Sequence, residues 1–288
     1  MAANIEIAQS LFKQSKYQEA IDICNQILVV DSNSIKTLKL IAKSCLAIRK
    51  IEDSRLYLNK ALKIKPDDFE VVKDLGNTYQ AIGDLNTAKN YYQKALAINS
   101  SYAPALTNLG GIEVKAGNKE EGLSLLIKAI EADPQLVPAW RNLANGYLHC
   151  GKTQEAANAC RKSIELNPNL FNSHFLLASI LIGQKKLKEA EQSLRKTIEL
   201  KPDFVQAYLN LGVVFKGLGK SQEAEQFIRK AIVIQPNYAD AHYNLGNLLR
   251  DLGKLEEAKL SLRNAIKIKD DFPQAHNTLG NISKNQGN

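Results

Sequence analysis

Histidines are the side chains of this chain best suited to proton transfer or metal binding near neutral pH. They are His149, His174, His242 and His276. A metal site needs several ligands at a defined spacing, as in an HExxH helix, and the sequence contains no such arrangement. Three of the four are separated by 34 or 68 residues and share a repeated position with Trp140. We therefore predict that they fill packing positions and that the chain binds no metal.

Other signatures of catalysis are also missing from the sequence. The serines lack a nucleophile-elbow motif, and no GxxxxGK[ST] phosphate loop occurs. Gly110 and Gly111 fall inside a predicted helix rather than in a loop. Acidic pairs such as Glu120–Glu121 stand at predicted helix starts, where carboxylates favour the positive end of the helix dipole. We predict that the chain is not an enzyme and has neither a catalytic residue nor a cofactor.

Asparagines form the most regular polar pattern in the sequence. Four of them are separated by 34 or 68 residues, with one interruption at Leu176; they are Asn108, Asn142, Asn210 and Asn244. An amide both donates and accepts hydrogen bonds, so such a row can bind the backbone of an extended peptide without reading its side chains. The alternative is that these amides bond within the protein and set the spacing of its helices.

A 34-residue repeat positions these side chains. Counting in that interval from Leu211 gives only Leu or Ile: Ile7, Ile41, Leu75, Leu109, Leu143, Leu177, Leu245 and Leu279. The position after it is never larger than Ala: Ala8, Ala42, Gly76, Gly110, Ala144, Ala178, Gly212, Gly246 and Gly280. A period of this kind is typical of stacked repeat proteins.

Each repeat is predicted to be a pair of antiparallel helices. In residues 205–238, apolar residues recur every three or four positions on both sides of Gly219. A left-handed residue after a helix is least costly as glycine, so Gly219 is predicted to end the first helix. Pro236 ends the second, because it lacks an amide hydrogen and clashes with the preceding turn. No strand pattern is present.

Packing between the helices predicts the architecture. Gly212 and Ala224 are expected to face each other, and a leucine at either position should cost about 1–3 kcal/mol through overpacking. Helices of roughly 13 residues are marginal alone in water, so the pairs must stack. We predict an all-α fold, an α-solenoid (superhelix) of stacked antiparallel helical hairpins in a single domain over residues 1–288. The expected repeats are about 1–34, 35–68, 69–102, 103–136, 137–170, 171–204, 205–238 and 239–272, with an extra terminal helix at 273–288.

The repeat resembles the tetratricopeptide family. The resemblance rests on the period, the Leu-Gly step, the closing proline, the small residue at Ala88, Ala156 and Ala224, and the aromatic residue at Tyr79, Tyr147 and Phe215. It implies that first helices line a concave groove and second helices form the convex back. The groove is then predicted to bind peptide through these residues: Lys73, Asn77, Asn108, Arg141, Asn142, Asn145, Asn210, Tyr243, Asn244, Asn247 and Arg250.

Two further resemblances bear on the ligand. The asparagine row is similar to that in the repeat arm of O-GlcNAc transferases, which holds peptide backbone. Lys73, Asn77 and Asn108 resemble part of the carboxylate clamp of chaperone-binding tetratricopeptide proteins. The two basic residues expected on the next first helix are absent, because Pro138 and Asn142 stand there.

Charge suggests the kind of partner. The formal net charge is +8, which favours an acidic protein or peptide ligand. Many basic residues lie on second helices and alternate with acidic ones, and no aromatic and basic platform follows the groove, so the sequence disfavours nucleic acid. The lysine group Lys36, Lys39 and Lys43 is the best candidate for an anion site, with a solvated face as the alternative.

The chain has no signal peptide and no apolar run long enough to span a membrane, so we predict a cytoplasmic protein. We expect a scaffold that holds an extended peptide or protein segment in its groove. The alternative is the substrate-recruiting arm of a longer enzyme of glycosyl- or sulfotransferase type, truncated after residue 288. The terminal helix carries Leu279 and lacks a following helix. Self-association through it is a further expectation.

Overall fold

The computed structural model describes residues 4–285, with the side chain of Asn285 excluded. Within this range the chain forms seventeen α-helices and no strand, so the predicted all-α fold is confirmed. The first helices of the repeats are α1 (Ile5–Lys13), α3 (Ile35–Ala47), α5 (Phe69–Ala81), α7 (Ala103–Ala116), α9 (Val137–His149), α11 (Phe171–Gly183), α13 (Val205–Gly217), α15 (Ala239–Asp251) and α17 (Pro273–Asn285). The second helices are α2 (Tyr17–Val30), α4 (Ile51–Ile64), α6 (Leu85–Ile98), α8 (Lys119–Ala132), α10 (Thr153–Leu166), α12 (Leu187–Leu200), α14 (Ser221–Ile234) and α16 (Leu255–Ile268).

The helices fall into two compact units, Met1–Cys150 and Gly151–Asn288. The first contains α1 to α9 and the second α10 to α17. Inside each unit every helix packs against the next, and first helices also contact one another, as α7 does with α9 and α13 with α15. This is the packing of an α-solenoid. The expectation of one continuous solenoid over residues 1–288 stays a prediction.

Turns within the repeats have the left-handed backbone that the sequence predicts. Five glycines adopt it, and so do Ser15, Arg49 and Lys185, with φ of 62°, 61° and 59°. The glycines are Gly83, Gly117, Gly151, Gly219 and Gly253. This geometry costs a residue with a Cβ roughly 1–2 kcal/mol, so the three exceptions show how firmly the repeat imposes the turn.

The small residues of the repeat allow close packing of the two helices in a hairpin. A Cβ added to Gly212 would lie 2.4 Å from Ile228 Cγ1 and 3.2 Å from the carbonyl oxygen of Ala224. Ala224 itself is fully buried. The predicted contact between these two positions is therefore confirmed, because a Cβ at Gly212 would overlap Ile228 and press against the backbone of Ala224 on the opposite helix.

The last helix is packed against its own unit. Ala275 and Ile282 of α17 are buried, and Leu279 is half-buried. Self-association through this helix stays a prediction. Among the described residues, none of the helices combines the length and the apolar character needed to cross a membrane.

Candidate functional site

A cleft of about 470 Å³ opens between the first helices α7 and α9 of the first unit. Four of the predicted groove residues line it: Asn108, Arg141, Asn142 and Asn145. Gln80, Gly111, Lys115 and His149 also contribute to its surface. The lining contains amides, cations, a histidine and the apolar residues Leu85, Ile112, Val114 and Pro138, but no carboxylate. The fold thus gathers polar residues from three successive first helices into one site.

The amides of this cleft are held by bonds within the protein, as the alternative interpretation of the row expects. Asn108 Nδ2 donates to Asn77 Oδ1 at 2.8 Å. Asn142 Nδ2 lies 3.4 Å from the carbonyl oxygen of Thr107, and Asn145 Nδ2 donates to that of Arg141 at 3.2 Å. The Oδ1 atoms of Asn142 and Asn145 accept no hydrogen bond from the described part of the chain. Each side chain is therefore oriented by the protein while one acceptor remains free.

Tyr92 supports this arrangement from behind. It belongs to the second helix α6, is fully buried, and fills a position held by leucine, isoleucine or cysteine in other repeats. It passes beneath Gly76, where an added Cβ would lie 2.6 Å from Tyr92 Cε1. Its hydroxyl lies 2.9 Å from Asn77 Oδ1 and 2.6 Å from Gln80 Oε1. Burial raises the pKa of Tyr92, so the hydroxyl stays protonated and available as a donor.

The residues that resemble a carboxylate clamp bind a carboxylate of the chain itself. Lys73 Nζ lies 2.5 Å from Asp74 Oδ1, and Asn77 Nδ2 donates to the same oxygen at 3.2 Å. Only 12% of the Lys73 side chain and 6% of the Asp74 side chain are exposed. Lys73 and Asn77 border a separate cavity of about 320 Å³, together with Phe12. They therefore present little free positive charge to a ligand.

The lysine group predicted as an anion site is largely neutralised. Lys39 forms ion pairs with Asp68 and Glu70, and Lys43 Nζ lies 3.8 Å from Asp74 Oδ2. These carboxylates come from the segment that begins α5. The pairs link neighbouring first helices and leave Lys36, which is exposed and has no ion pair with a described residue, as the free cation of the group.

The predicted residues of the second unit lie on α13 and α15. Asn210 and Asn247 are half-buried, and the ring of Tyr243 lies 5.0 Å from that of Phe272. Asn244 Nδ2 donates to the carbonyl oxygen of Asp240 at 2.8 Å.

The cations of this face are paired within the chain. Asp251 accepts hydrogen bonds from Arg250 at 2.8 and 3.1 Å, and Lys216 lies 2.6 Å from it. Burial alone would raise the pKa of Asp251, but these two partners outweigh burial and lower it. The positive charge of Arg250 is therefore already matched.

Sequence reasoning missed a hydrogen bond that repeats through the structure. In five repeats the position that holds Trp140 carries a ring or hydroxyl donor bonded to the backbone carbonyl six residues earlier. The pairs are Trp140 with Pro134, His174 with Pro168, Tyr208 with Pro202, His242 with Pro236, and His276 with Asp270, at 2.8–3.1 Å. Since a carbonyl only accepts, the histidines donate through Nε2. The sequence did contain a clue, because Trp, His and Tyr differ in ring structure but each carries a group that can donate a hydrogen bond.

Three of the four cysteines are buried, and the described side chains are not arranged to hold a metal ion. All four cysteines are free, and Cys24, Cys45 and Cys160 are buried. Burial raises the pKa of the Cys24 thiol to about 11 and that of Cys160 to about 12, so neither is a thiolate near neutral pH. The described side chains include no group of three His, Cys, Asp or Glu that could hold a metal ion.

Comparisons with known families agree with this fold. The family model described as the C-terminal domain of cilia and flagella-associated protein 70, a tetratricopeptide-repeat model, matches residues 63–279. The chain belongs to this tetratricopeptide-repeat family. A second model, described as anaphase-promoting complex, cyclosome, subunit 3, matches residues 2–61. No curated protein is significantly similar to the chain in sequence.

Several solved structures share the fold. The crystal structure of the APC/C heterotetramer Cut9–Hcn1 is similar with a TM-score of 0.75 at 16% identity, over 96% of this chain and 54% of that one. The chain thus spans about half the length of that protein. PilF of Pseudomonas aeruginosa has a TM-score of 0.66 at 20% identity, over 75% of this chain and 97% of its own.

YrrB, described as a tetratricopeptide protein with an unusual peptide-binding site, has a TM-score of 0.53 at 24% identity, over 64% of this chain and 95% of its own. At these identities the likeness shows the fold alone. The tetratricopeptide fold is typical of scaffolds for protein–protein interaction. The comparisons do not bear on the O-GlcNAc transferase resemblance, which stays a prediction.

Proposed function

We propose that this chain is a scaffold that holds an extended segment of another protein against its first helices. The observation that carries the proposal is the cleft between α7 and α9, where Asn142 and Asn145 are oriented by the protein yet keep a free acceptor. An extended backbone offers an N–H and a carbonyl at each residue, which amides can match at regular spacing. YrrB, which shares the fold, is described as having a peptide-binding site.

The ligand is proposed to be acidic, because the chain carries a formal net charge of +8 and the cleft contains no carboxylate. The remaining predicted groove residues are proposed as further contacts along the bound segment: Lys73, Asn77, Asn108, Arg141, Asn210, Tyr243, Asn244, Asn247 and Arg250. Of these, Lys73 and Arg250 should contribute least, since each is paired with an aspartate. Substrate recruitment for a longer enzyme is the same binding activity in a larger protein, and the intact mass of the native protein distinguishes the two.

Peptide selection followed by substitution tests the proposal. A library of random dodecapeptides is selected on the immobilised 288-residue chain, and the affinity of a selected peptide is measured by fluorescence anisotropy. Asn142→Ala with Asn145→Ala should weaken binding by about 5–150-fold, since each of the two neutral hydrogen bonds contributes about 0.5–1.5 kcal/mol. Asn90→Ala is the matched control, because Asn90 is an exposed asparagine on the second helix α6.

Circular dichroism should show unchanged helicity for each variant. If selected peptides bind the doubly substituted chain as tightly as the original, the cleft is not the binding site. If selection yields no peptide at all, the scaffold proposal itself is wrong.

A further inference from the structure

Gly111 has no packing role in the helix that contains it. A Cβ on its neighbour Gly110 would meet Leu126 and the backbone of Gly122 at 2.9 Å, so close packing requires that glycine. A Cβ on Gly111 would meet only the side-chain amide of Asn142, at 3.2 Å. Glycine in a helix interior costs about 1 kcal/mol relative to alanine. The cost at Gly111 is therefore not explained by the core.

The absence of a side chain at Gly111 opens the floor of the cleft. Equivalent positions in other repeats carry side chains, and these are Gln9, Lys43, Asn77, Asn145, Ser179, Val213, Asn247 and Asn281. Gly111 lies in the cleft lining beside Asn142. Only this repeat therefore leaves room at this position for a group from outside.

Two unpaired cations border this opening. Lys115 follows Gly111 by one helical turn on α7, and Arg141 lies on α9, and both line the cleft. Neither forms an ion pair with any described residue. By contrast, Lys39, Lys73, Lys216 and Arg250 on other first helices are all paired with carboxylates. The cleft is thus a place where the first-helix face keeps uncompensated positive charge.

We propose that the cleft over Gly111 is a subsite for one anionic side chain of the bound protein segment, held by Arg141 and Lys115. The proposal rests on the scaffold function and specifies which part of the ligand it reads. A guanidinium presents two parallel donors to a carboxylate or phosphoryl group, and such charge-assisted bonds are about twice as strong as neutral ones. The ammonium of Lys115 adds a second charge from the opposite helix. Aspartate, glutamate and phosphoserine share the required chemistry.

Peptide selection on variant chains tests the subsite. Dodecapeptides selected on the unaltered chain should share an acidic residue at one position. Replacing that residue by its amide should weaken binding about tenfold, and phosphoserine at the same position shows whether a phosphoryl group is preferred over a carboxylate. In the Arg141→Gln, Lys115→Gln chain the acidic and amide peptides should bind within about twofold of each other.

Matched controls separate this site from the general positive charge. Arg263→Gln and Lys128→Gln remove the same two charges at exposed positions of second helices, where neither residue has an ion pair with a described residue. This control chain should keep the tenfold preference. Gly111→Asn restores the side chain found at equivalent positions, and should abolish the preference while the melting temperature is unchanged or higher.

The outcomes are distinguishable from those of the scaffold proposal. If peptides bind through Asn142 and Asn145 but the preference for acid is absent, or survives Arg141→Gln with Lys115→Gln, the subsite is wrong and the scaffold function stands. If no peptide is selected, both proposals are overturned. A fluorescent ten-residue oligodeoxyadenylate that binds more tightly than the acidic peptide, and depends on Arg141, would make the occupant a nucleic acid and overturn the subsite proposal.

Discussion

Lys89 Nζ lies 2.5 Å from Glu113 Oε1, joining the second helix α6 to the first helix α7 of the next repeat. Glu113 is buried, with 1% of its side chain exposed, at a position that holds Tyr79, Tyr147 or Phe215 in other repeats. One repeat earlier the same two positions carry Arg55 and Tyr79, and the guanidinium lies 4.0 Å from the ring centroid. An ion pair thus replaces a cation–π contact at an equivalent joint.

Glu113 should make stability depend on pH. Burial alone would raise its pKa, but the hydrogen bond from Asn118 and the paired ammonium of Lys89 outweigh burial and lower it. A carboxyl whose folded-state pKa is lowered stabilises the fold fully above its unfolded pKa, near 4.3, and loses that contribution as pH falls through the folded value. Glu113→Gln should therefore lower the melting temperature at pH 7, and its difference from the unaltered chain should shrink below about pH 4.

Thermal unfolding followed by circular dichroism at pH 7, 5, 4 and 3 measures this effect. Glu131→Gln is the control, since Glu131 is exposed on α8 and has no ion pair among the described residues. A pH-independent difference for Glu113→Gln would mean that the variant loses packing rather than charge.

The fold was largely predictable from sequence, because each structural position recurs every 34 residues and its residue preference can be read from several repeats. The sequence predicts the turn at Gly219, and the structure has it at four further glycines and at Ser15, Arg49 and Lys185. The Lys89–Glu113 pair could not be predicted, because it depends on a distance between two repeats and occurs once. The same holds for Lys73, whose neutralisation by its neighbour Asp74 depends on how both side chains turn. The 34-residue period shows which residues occupy equivalent positions, whereas the ion-pair partner of each residue depends on side-chain conformation.

Tyr92 should be required for both stability and binding. Replacing it by phenylalanine removes only the hydroxyl that meets Asn77 and Gln80. Leaving a buried hydrogen bond unmade should lower the free energy of unfolding by about 1–2 kcal/mol. The affinity of a selected peptide should fall as well, because Asn108 is held by Asn77.

Urea unfolding and anisotropy titrations measure these two effects. Tyr57→Phe serves as the control, because its hydroxyl makes only a 3.3 Å bond to Asn25 at an exposed site. If Tyr92→Phe changed stability without changing affinity, Tyr92 would support the fold but not the cleft.

Substitutions at Gly212 and Ile228 should have strongly non-additive effects on stability. Gly212→Ala places a methyl group 2.4 Å from Ile228 Cγ1, so it should destabilise the second unit by about 1–3 kcal/mol. Equivalent positions in other repeats hold Ala42 opposite Leu58 and Ala178 opposite Leu194, and all four residues are buried. In these two repeats a leucine, which is not branched at Cβ, packs opposite the alanine.

The double variant Gly212→Ala, Ile228→Leu should therefore recover most of the lost stability. Urea unfolding of both single variants and the double variant gives the coupling energy directly. Additive losses would show that the backbone shifts, rather than the branched side chain, set the cost.

Replacing Lys185 by glycine should stabilise the protein. Its φ of 59° lies in the left-handed region, where a Cβ is costly, and the equivalent turn in the same unit uses Gly219 with φ of 75°. Lys185→Gly should raise the free energy of unfolding by about 0.5–1 kcal/mol, and Gly219→Lys should lower it by about 1–2 kcal/mol. Lys188→Gly, in the first turn of α12, should not stabilise the protein, because its backbone is already helical and glycine is a poor helix former. Thermal unfolding of the three variants tests the argument, and a loss of stability in Lys185→Gly would show that its side chain contributes more than its backbone costs.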